Sequence, residues 1–517
     1  MTRSGTNDLH GNLFEFIRND GFGSAREYFS KTSSVLKRNQ FGGVVGGPIK
    51  KNKLFYFAGY QATILRADPG NTIGAVPTLQ MLQTGDWSTF ASPACNGGAQ
   101  KTLKAPFANN QINPAQYSKA AVYIMQKFLP TIPVTPDQCG NITYGTPGPE
   151  SDYQYVGKVD YQINDRQSVF FRLLDTQIKL PAPYTTTPDL LLVGNNGQDQ
   201  LGQSYAIGHT FVIGPTLVQS VRLAGHRTAA NDYTHNISFD YCQAGVQNFW
   251  CDAPGELGSA TITNGFPLGG TAHQHNYWTV NFFALDDDVN WVKGNHQMTF
   301  GGGTSWGAAR QLNHFASVGT FAFNGQITGS GLSDFMAGLP STLLQGLPNT
   351  VFTREGFVSL YFTDSWKITP RLTFNFGIRW EPYLPMAAGN GQISTFDLNA
   401  FKADTHSTVF PNAPAGFTFP GDNGFIGLSA VNKQVWNFAP RGGFAWDPMG
   451  DGKTSIRAAY AFGYAYVPAV TRQDQAGSNP WGGRSTYSTT GVATFDNPYP
   501  NGNPYPYVIN QNVKFTP

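Results

Sequence analysis

Charged side chains are scarce in this sequence, at 13% of residues against about 25% in ordinary globular proteins, so its surface is not the usual lattice of solvated ions. Long apolar runs are missing too. No stretch of about 18 apolar residues exists that could span a bilayer as a helix, which excludes a helical membrane protein. The start, MTRSGTNDLH, lacks a positive segment followed by an apolar one, so it carries no secretory signal; for an exported protein this leads to the expectation of a fragment. The net charge of +2 comes from scattered Lys and Arg and points to no nucleic-acid partner.

Chemistry is equally thin. There is no G-x-S-x-G, no H-E-x-x-H and no cysteine beside a plausible base, so no catalytic residue is assigned and the chain is read as not an enzyme. Gly450-Asp451-Gly452-Lys453-Thr454 imitates a phosphate loop, but Asp447 occupies the place of the motif's first Gly and the segment reads as a hairpin turn. Gly301-Gly302-Gly303 falls inside a strand and suits a close-packed or bent strand better than a dinucleotide site. No metal or cofactor is assigned. His273 and His275 could both ligate from an extended loop, but the pairing is weak, and Asp286, Asp287 and Asp288 read as lumen or rim charges on a strand. Only four cysteines are present. Cys242 and Cys251 are close enough to close a small loop, and whether they and the pair Cys95 and Cys139 are bonded stays open.

What the chain has instead is aromatic rings, at 14% of residues, and 59 glycines. That much ring area excludes a solvated disordered chain. The rings alternate. From 371 to 380, Leu372, Phe374, Phe376, Ile378 and Trp380 share one face, while Arg371, Thr373, Asn375, Gly377 and Arg379 share the other. The same period of two pairs segments 39–46 with 54–61, 153–163 with 168–175, 205–213 with 217–226, 283–291 with 296–306, 358–366 with 371–380, and 437–446 with 454–464.

Short turns inside these hairpins alternate with long Gly-, Asn- and Pro-rich connections between them, whereas a soluble sandwich has short connections at both ends. Strands of about ten residues at about 3.3 Å each, tilted near 45°, match an apolar band about 25 Å tall. The expected fold is therefore all-β: an incomplete antiparallel transmembrane β-barrel of outer-membrane type, with about 12 or more strands and long extracellular loops. Leu372, Phe374, Phe376 and Ile378 are expected to face lipid. Trp291, Trp306, Trp366, Trp380 and Trp446, near strand ends, are expected to form the aromatic girdle, and Arg371, Asn375, Arg379, Lys453 and Arg457 to face a hydrated lumen. In the loops, Asn113-Pro114 followed by Tyr117, Ala121, Ile124 and Phe128 suggests a short helix with Asn113 as its N-cap.

Several runs resemble TonB-dependent receptors of the Oar-like group. TRSGTNDLHGNLFEFIRND at 2–20 resembles the end of the plug and its exit into the barrel, and NQFGGVVGGPIKKNKLFYFAGYQ at 39–61 the first barrel hairpin. SLYFTDSWKITPRLTFNFGIRWEPY at 359–383 and NFAPRGGFAWDPMGDGKTSIRAAYAFGY at 437–464 resemble later hairpins; VNWVKGNHQMTFGG at 289–302 and LSDFMAGLP at 332–340 also fit. The resemblance implies residues 1–20 as plug end and connection, and 21–517 as partial barrel. It implies a bacterial outer-membrane location, contact with outer-membrane lipid, and uptake of an unidentified solute powered by the TonB complex through a plug and N-terminal segment. Two other readings are a structural or surface-interaction barrel and a secreted carbohydrate-binding β-protein.

Overall fold

In a computed structural model, residues 2–23, 35–68, 72–145, 147–186, 189–194, 196–233, 237, 239–269, 276–465, 477–488 and 493–515 are described. His273 and His275 lie outside them. Thirteen strands form one antiparallel meander in which each strand pairs with the next in sequence. They are β1 (His10–Asn19), β2 (Val35–Lys50), β3 (Leu54–Asp68), β4 (Gly148–Asn164), β5 (Gln167–Leu180), β6 (Gly197–Gly214) and β7 (Leu217–Tyr233), followed by β8 (Tyr277–Lys293), β9 (His296–Asn313), β10 (Asn349–Thr369), β11 (Leu372–Trp380), β12 (Phe438–Trp446) and β13 (Ile456–Ala461). A two-residue strand, Ala387–Ala388, adds to β10 beyond the end of β11. The sheet is not closed: among the described residues β1 pairs only with β2, and β13 only with β12.

All six hairpins read from the sequence are present; β2 to β10 are longer than expected, and β11, β12 and β13 are shorter. β10 runs for 21 residues and β6 for 18. The apolar alternation marks only the segment that meets an apolar medium, while the backbone ladder continues through polar sequence beyond it. β1 is an additional strand inside the segment expected to leave the plug; it pairs along its whole length with β2. Its sequence hides it, because Leu13 and Ile17 point one way and Phe14 and Phe16 the other, so neither face stands out. Four hairpins shift register by one residue beside the short turn, at Pro48/Lys50, Gln162/Asn164, Val212/Gly214 and Lys367/Thr369. A bulge there twists the strands into the turn without disturbing the long ladder above it.

Connections 69–147, 181–196, 234–276, 314–348 and 381–437 all emerge at the end opposite the short turns. They fold together. The largest fully buried side chains, among them Trp87, Phe128, Tyr241, Phe266, Phe321, Phe323, Phe335 and Phe495, all lie outside the wall strands. One apolar core joins four of these connections to the segment around Phe495 and Tyr505. A small sheet runs through it: Ser259–Ile262 parallel to Thr320–Phe323, which is antiparallel to Thr342–Gly346, which in turn pairs with Arg484–Ser488. The long connections thus make a packed cap.

The expected loop helix is Lys119–Phe128, and its N-cap is Ser118, not Asn113. Asn113 caps a separate 3-10 turn, Pro114–Gln116, so the pairing of Asn with Pro marked the wrong start. The Asp496 carboxylate accepts from Ser118 Oγ at 2.7 Å and from the backbone N–H groups of Ala120 and Lys119 at 2.9 and 3.1 Å. A negative charge at a helix N-terminus satisfies orphan donors and opposes the helix dipole. Ala120, Ala121, Ile124, Met125 and Phe128 then turn into the core.

Both disulfides form, Cys95–Cys139 and Cys242–Cys251, each tying two parts of the cap. Loop-closure entropy assigns about 4 kcal/mol to the longer loop and about 2.7 kcal/mol to the shorter. Replacing Cys95 and Cys139 by Ala should therefore open the cap to protease on intact cells more than the same change at Cys242 and Cys251. Heat-modified gel mobility of the wall should not change; equal cleavage of the two variants would contradict this ordering.

Candidate functional site

The pairing register fixes which residues share a face. Through β4 to β13 one face carries Val159, Phe171, Ile207, Leu223, Leu285, Phe300, Phe362, Ile378 and Phe444, and is called outward here. Leu372, Phe374 and Phe376 share it, as do all five tryptophans Trp291, Trp306, Trp366, Trp380 and Trp446. Trp291, Trp366 and Trp446 lie near the short turns. Trp306 and Trp380 lie nearer the cap, where Trp306 stacks on Phe283 at 6.4 Å and the Trp380 indole donates to Val435 O at 2.7 Å.

The opposite face is polar. Asn375, Arg379 and Arg457 stand on it, Asn375 in register with Ser365 and Gly443, and Arg457 with Ala445. Arg371 and Lys453, expected on the same wall face, fall instead in the turns at 370–371 and 447–455, because β13 begins only at Ile456. That second turn is organised by Asp447, whose carboxylate accepts from Gly452 N at 2.9 Å and Gly450 N at 2.8 Å. Those hydrogen bonds, with the Arg371 guanidinium nearby, hold the Asp447 carboxyl below the usual carboxylate range. The glycines of the phosphate-loop lookalike are turn residues bound to a carboxylate.

One inward cluster spans four strands. Asp288, Gly301, Tyr361 and Arg379 form one continuous row across β8 to β11. The Tyr361 hydroxyl donates to Asp288 on a strand two away, passing over Gly301. A Cβ at Gly301 would lie 2.3 Å from the Tyr361 ring, and one at Gly303 would lie 2.4 Å from Asp286 Oδ1. Here the triple glycine is a slot that lets a ring and a carboxylate lie flat on the wall. The Arg379 guanidinium sits 5.6 Å from the Tyr361 ring centre, donates to Ser359 Oγ at 3.1 Å and pairs with Glu381. Asp286 and Asp288 therefore point inward, and Asp287 points outward, where Gln219 Nε2 donates to both its oxygens at 3.1 and 3.0 Å.

Another inward group involves the N-terminal segment. Lys158 pairs with Asp160 at 2.9 Å, covers the Phe170 ring at 5.3 Å and donates to Ser4 Oγ at 2.6 Å. Asn7 meets Asn52 in the first short turn, so residues 4–7 pass along the inner side of the wall near the short-turn end. Neither Tyr361 nor Lys158 stands out in the sequence, since both look like ordinary alternation until the register brings them to their partners. The only three-residue cluster with metal-ligand geometry among the described residues is Asp240, Cys242 and Cys251, and its two sulfurs are spent in a disulfide.

Comparison with known proteins gives three results. A family described as "Outer membrane beta barrel domain" matches residues 1–517. The "TonB-dependent transporter Oar" of Myxococcus xanthus is 21% identical over 457 residues, covering 80% of this chain and 40% of that protein, so the chain spans about two fifths of the curated relative it matches. Among solved structures, the outer membrane transporter YddB from Escherichia coli aligns over 88% of this chain and 43% of its own at 11% identity and TM-score 0.41. The ferric enterobactin receptor PfeA of Pseudomonas aeruginosa aligns over 89% and 45% at 11% identity and TM-score 0.40.

Changing Gly301 to Ala should force the Tyr361 ring off the wall and cost about 1 to 3 kcal/mol, the usual range for overpacking. Gly442→Ala is the control, because nothing lies within 4 Å of a Cβ built there. Urea unfolding of the folded wall in detergent measures both; equal midpoints would show that the slot is not needed.

Proposed function

The chain belongs to the outer membrane beta barrel domain family, a protein of the bacterial outer membrane, and from that premise we propose that it supplies barrel wall and outer cap to a TonB-dependent transporter that takes up a solute. The observation that carries this reading is the two-faced meander, one face apolar between two tryptophan rows and the other polar, roofed by a cap at one end only. Membership of an outer-membrane family sets aside the secreted carbohydrate-binding reading. Transport is supported by the similarity to the Oar transporter, which reaches across most of this chain. The inward row of Asp288, Tyr361 and Arg379 gives the lumen fixed hydrogen-bonding groups, and the cap offers an outer surface for first capture. Energy from TonB would act on a plug within the wall, and residues 4–7 on the inner side trace a path for a chain leaving such a plug.

The outward face is assigned to lipid. Trp306 stands eight residues beyond Met298, the partner of Trp291, or about 26 Å along the strand, and the interval shortens with tilt toward the thickness of the apolar band. Phe374, in register with Trp366, sits at the short-turn girdle, and Ile378, in register with Phe362, sits nearer the middle. Ile378→Arg should therefore cost about 2 to 4 kcal/mol of folding stability in bilayers, and Phe374→Arg only about 0 to 1 kcal/mol. Folding titrations into vesicles measure both, and a near-zero cost at Ile378 would remove it from lipid.

A surface-interaction barrel is the second reading, favoured by the cap's own buried core and disulfides. Uptake separates the two. Cells that take up a labelled nutrient pool only when this protein is present should lose that uptake when TonB is deleted; uptake that persists without TonB would leave the surface reading standing.

A further inference from the structure

Outward-facing residues change character just beyond the cap-side tryptophans. One register step past the pair Phe283 and Trp306, the outward row across β7 to β10 reads Arg227, Asn281, Ala308, Arg354. Arg310 stands two residues farther along β9, in register with Thr279 and Phe352. All three guanidinium groups belong to exposed residues. Three strand spacings separate Arg227 from Arg354, about 14 Å, so the three charges occupy a compact patch.

Among the described residues none of the three takes part in an ion pair; Arg227 donates to Asn281 Oδ1 at 3.0 Å, and Arg354 rests 4.7 Å over the Phe352 ring. The nearest outward carboxylate in the row, Asp175, is two strands from Arg227 and is engaged by Gln203 at 2.8 Å and Gln177 at 3.3 Å. Three uncompensated guanidinium groups repel one another, and only a dense anion relieves that. Guanidinium forks fit phosphate oxygens in pairs, which makes the patch suited to phosphate more than to a lone carboxylate.

We infer that Arg227, Arg310 and Arg354 bind the phosphorylated headgroup of an outer-leaflet lipid whose acyl chains lie on the apolar wall below them. This rests on the outward face being the lipid face. The position supports a lipid over free phosphate: the patch continues directly from Trp306 and Phe283, so one molecule can fill both surfaces, and tryptophan rows mark the depth at which headgroups begin.

The test uses the protein extracted from its outer membrane in mild detergent, beside a triple variant with Arg227→Gln, Arg310→Gln and Arg354→Gln. Heat-modified gel mobility verifies that the variant is folded. Native mass spectrometry then reads retention of added diphosphorylated glycolipid, of the same glycolipid after dephosphorylation, and of inorganic phosphate alone. The expected result is at least tenfold lower retention of the phosphorylated lipid by the variant, weak retention of the dephosphorylated lipid by both proteins, and no displacement by equimolar inorganic phosphate. Equal retention by wild type and variant, or displacement of the lipid by equimolar phosphate, overturns the proposal. Quenching of tryptophan fluorescence by brominated acyl chains keeps the two readings apart. Quenching that disappears on changing Trp306 and Trp380 to Phe, with equal lipid retention, removes only the arginine site; no quenching in the wild type removes the lipid face and the site together.

Discussion

Inside a hydrocarbon layer a backbone N–H or C=O has no water to bond, so each must find another backbone group, and a neighbouring strand is the partner this chain uses. That requirement accounts for the sequential order of the thirteen strands. A meander needs no crossover through lipid, and every connection falls at one rim or the other. The bulges lie at the short-turn ends, where the backbone can meet water, and the long ladders that pair 35–48 with 55–68 and His296 to Asn313 with 349–366 run without a break. The ladder is also the reason the strands outrun the apolar band: once paired, two strands continue until a Gly, a Pro or a loop core pulls them apart.

A single-layer wall cannot bury large side chains between its faces, so the chain solves its packing twice. On the wall, contact is lateral: Phe300 against Phe362 at 5.0 Å, Tyr60 against Tyr155 at 5.1 Å, and the Tyr361 ring flattened over Gly301. In the cap, packing is three-dimensional and water-driven. Tyr241 is fully buried, with its hydroxyl donating to Gly258 O at 2.8 Å, and edge-to-face rings join it to Phe249, Phe321 and Phe495. Burial pushes the Tyr241 hydroxyl pKa far up, so it stays a neutral donor. Segments far apart in sequence meet here, and the two disulfides constrain connections that the hydrogen-bond ladder does not reach.

What could be read from the chain follows from this division. Six hairpins were legible because period-two alternation is a local signal, written in Leu372 to Trp380 as plainly as in any strand. The full strand lengths were not, since pairing through polar sequence leaves no trace in hydropathy. β1 was hidden by apolar residues on both faces, and Arg371 and Lys453 were placed on the wall by extending the alternation into turns. The cap's core was invisible for a different reason: Phe321, Phe323 and Phe335 look like any loop aromatics until Phe495, far along the chain, packs its ring against all three. The triple glycine was legible as close packing, yet its partner, Tyr361, emerges only from register.

Register also changes what a polar residue on the apolar face means. Asp287 breaks the outward stripe, but Gln219 supplies it with two donors from the adjacent strand. Asp364 does so as well, almost fully buried, with His296 Nδ1 2.6 Å from its Oδ2 and the imidazole stacked on Trp366 at 5.2 Å, at the short-turn girdle. Asp287 has both oxygens bonded within the wall, and Asp364 has its Oδ2 bonded to His296, which lowers the cost of placing these groups close to hydrocarbon. Arg227, Arg310 and Arg354 occupy the same face with no ion pair among the described residues, at the depth where hydrocarbon gives way to headgroups. A wall whose outward carboxylates find donors on neighbouring strands, while three adjacent cations take part in no ion pair among the described residues, places those cations where the membrane beside it can supply a counter-charge.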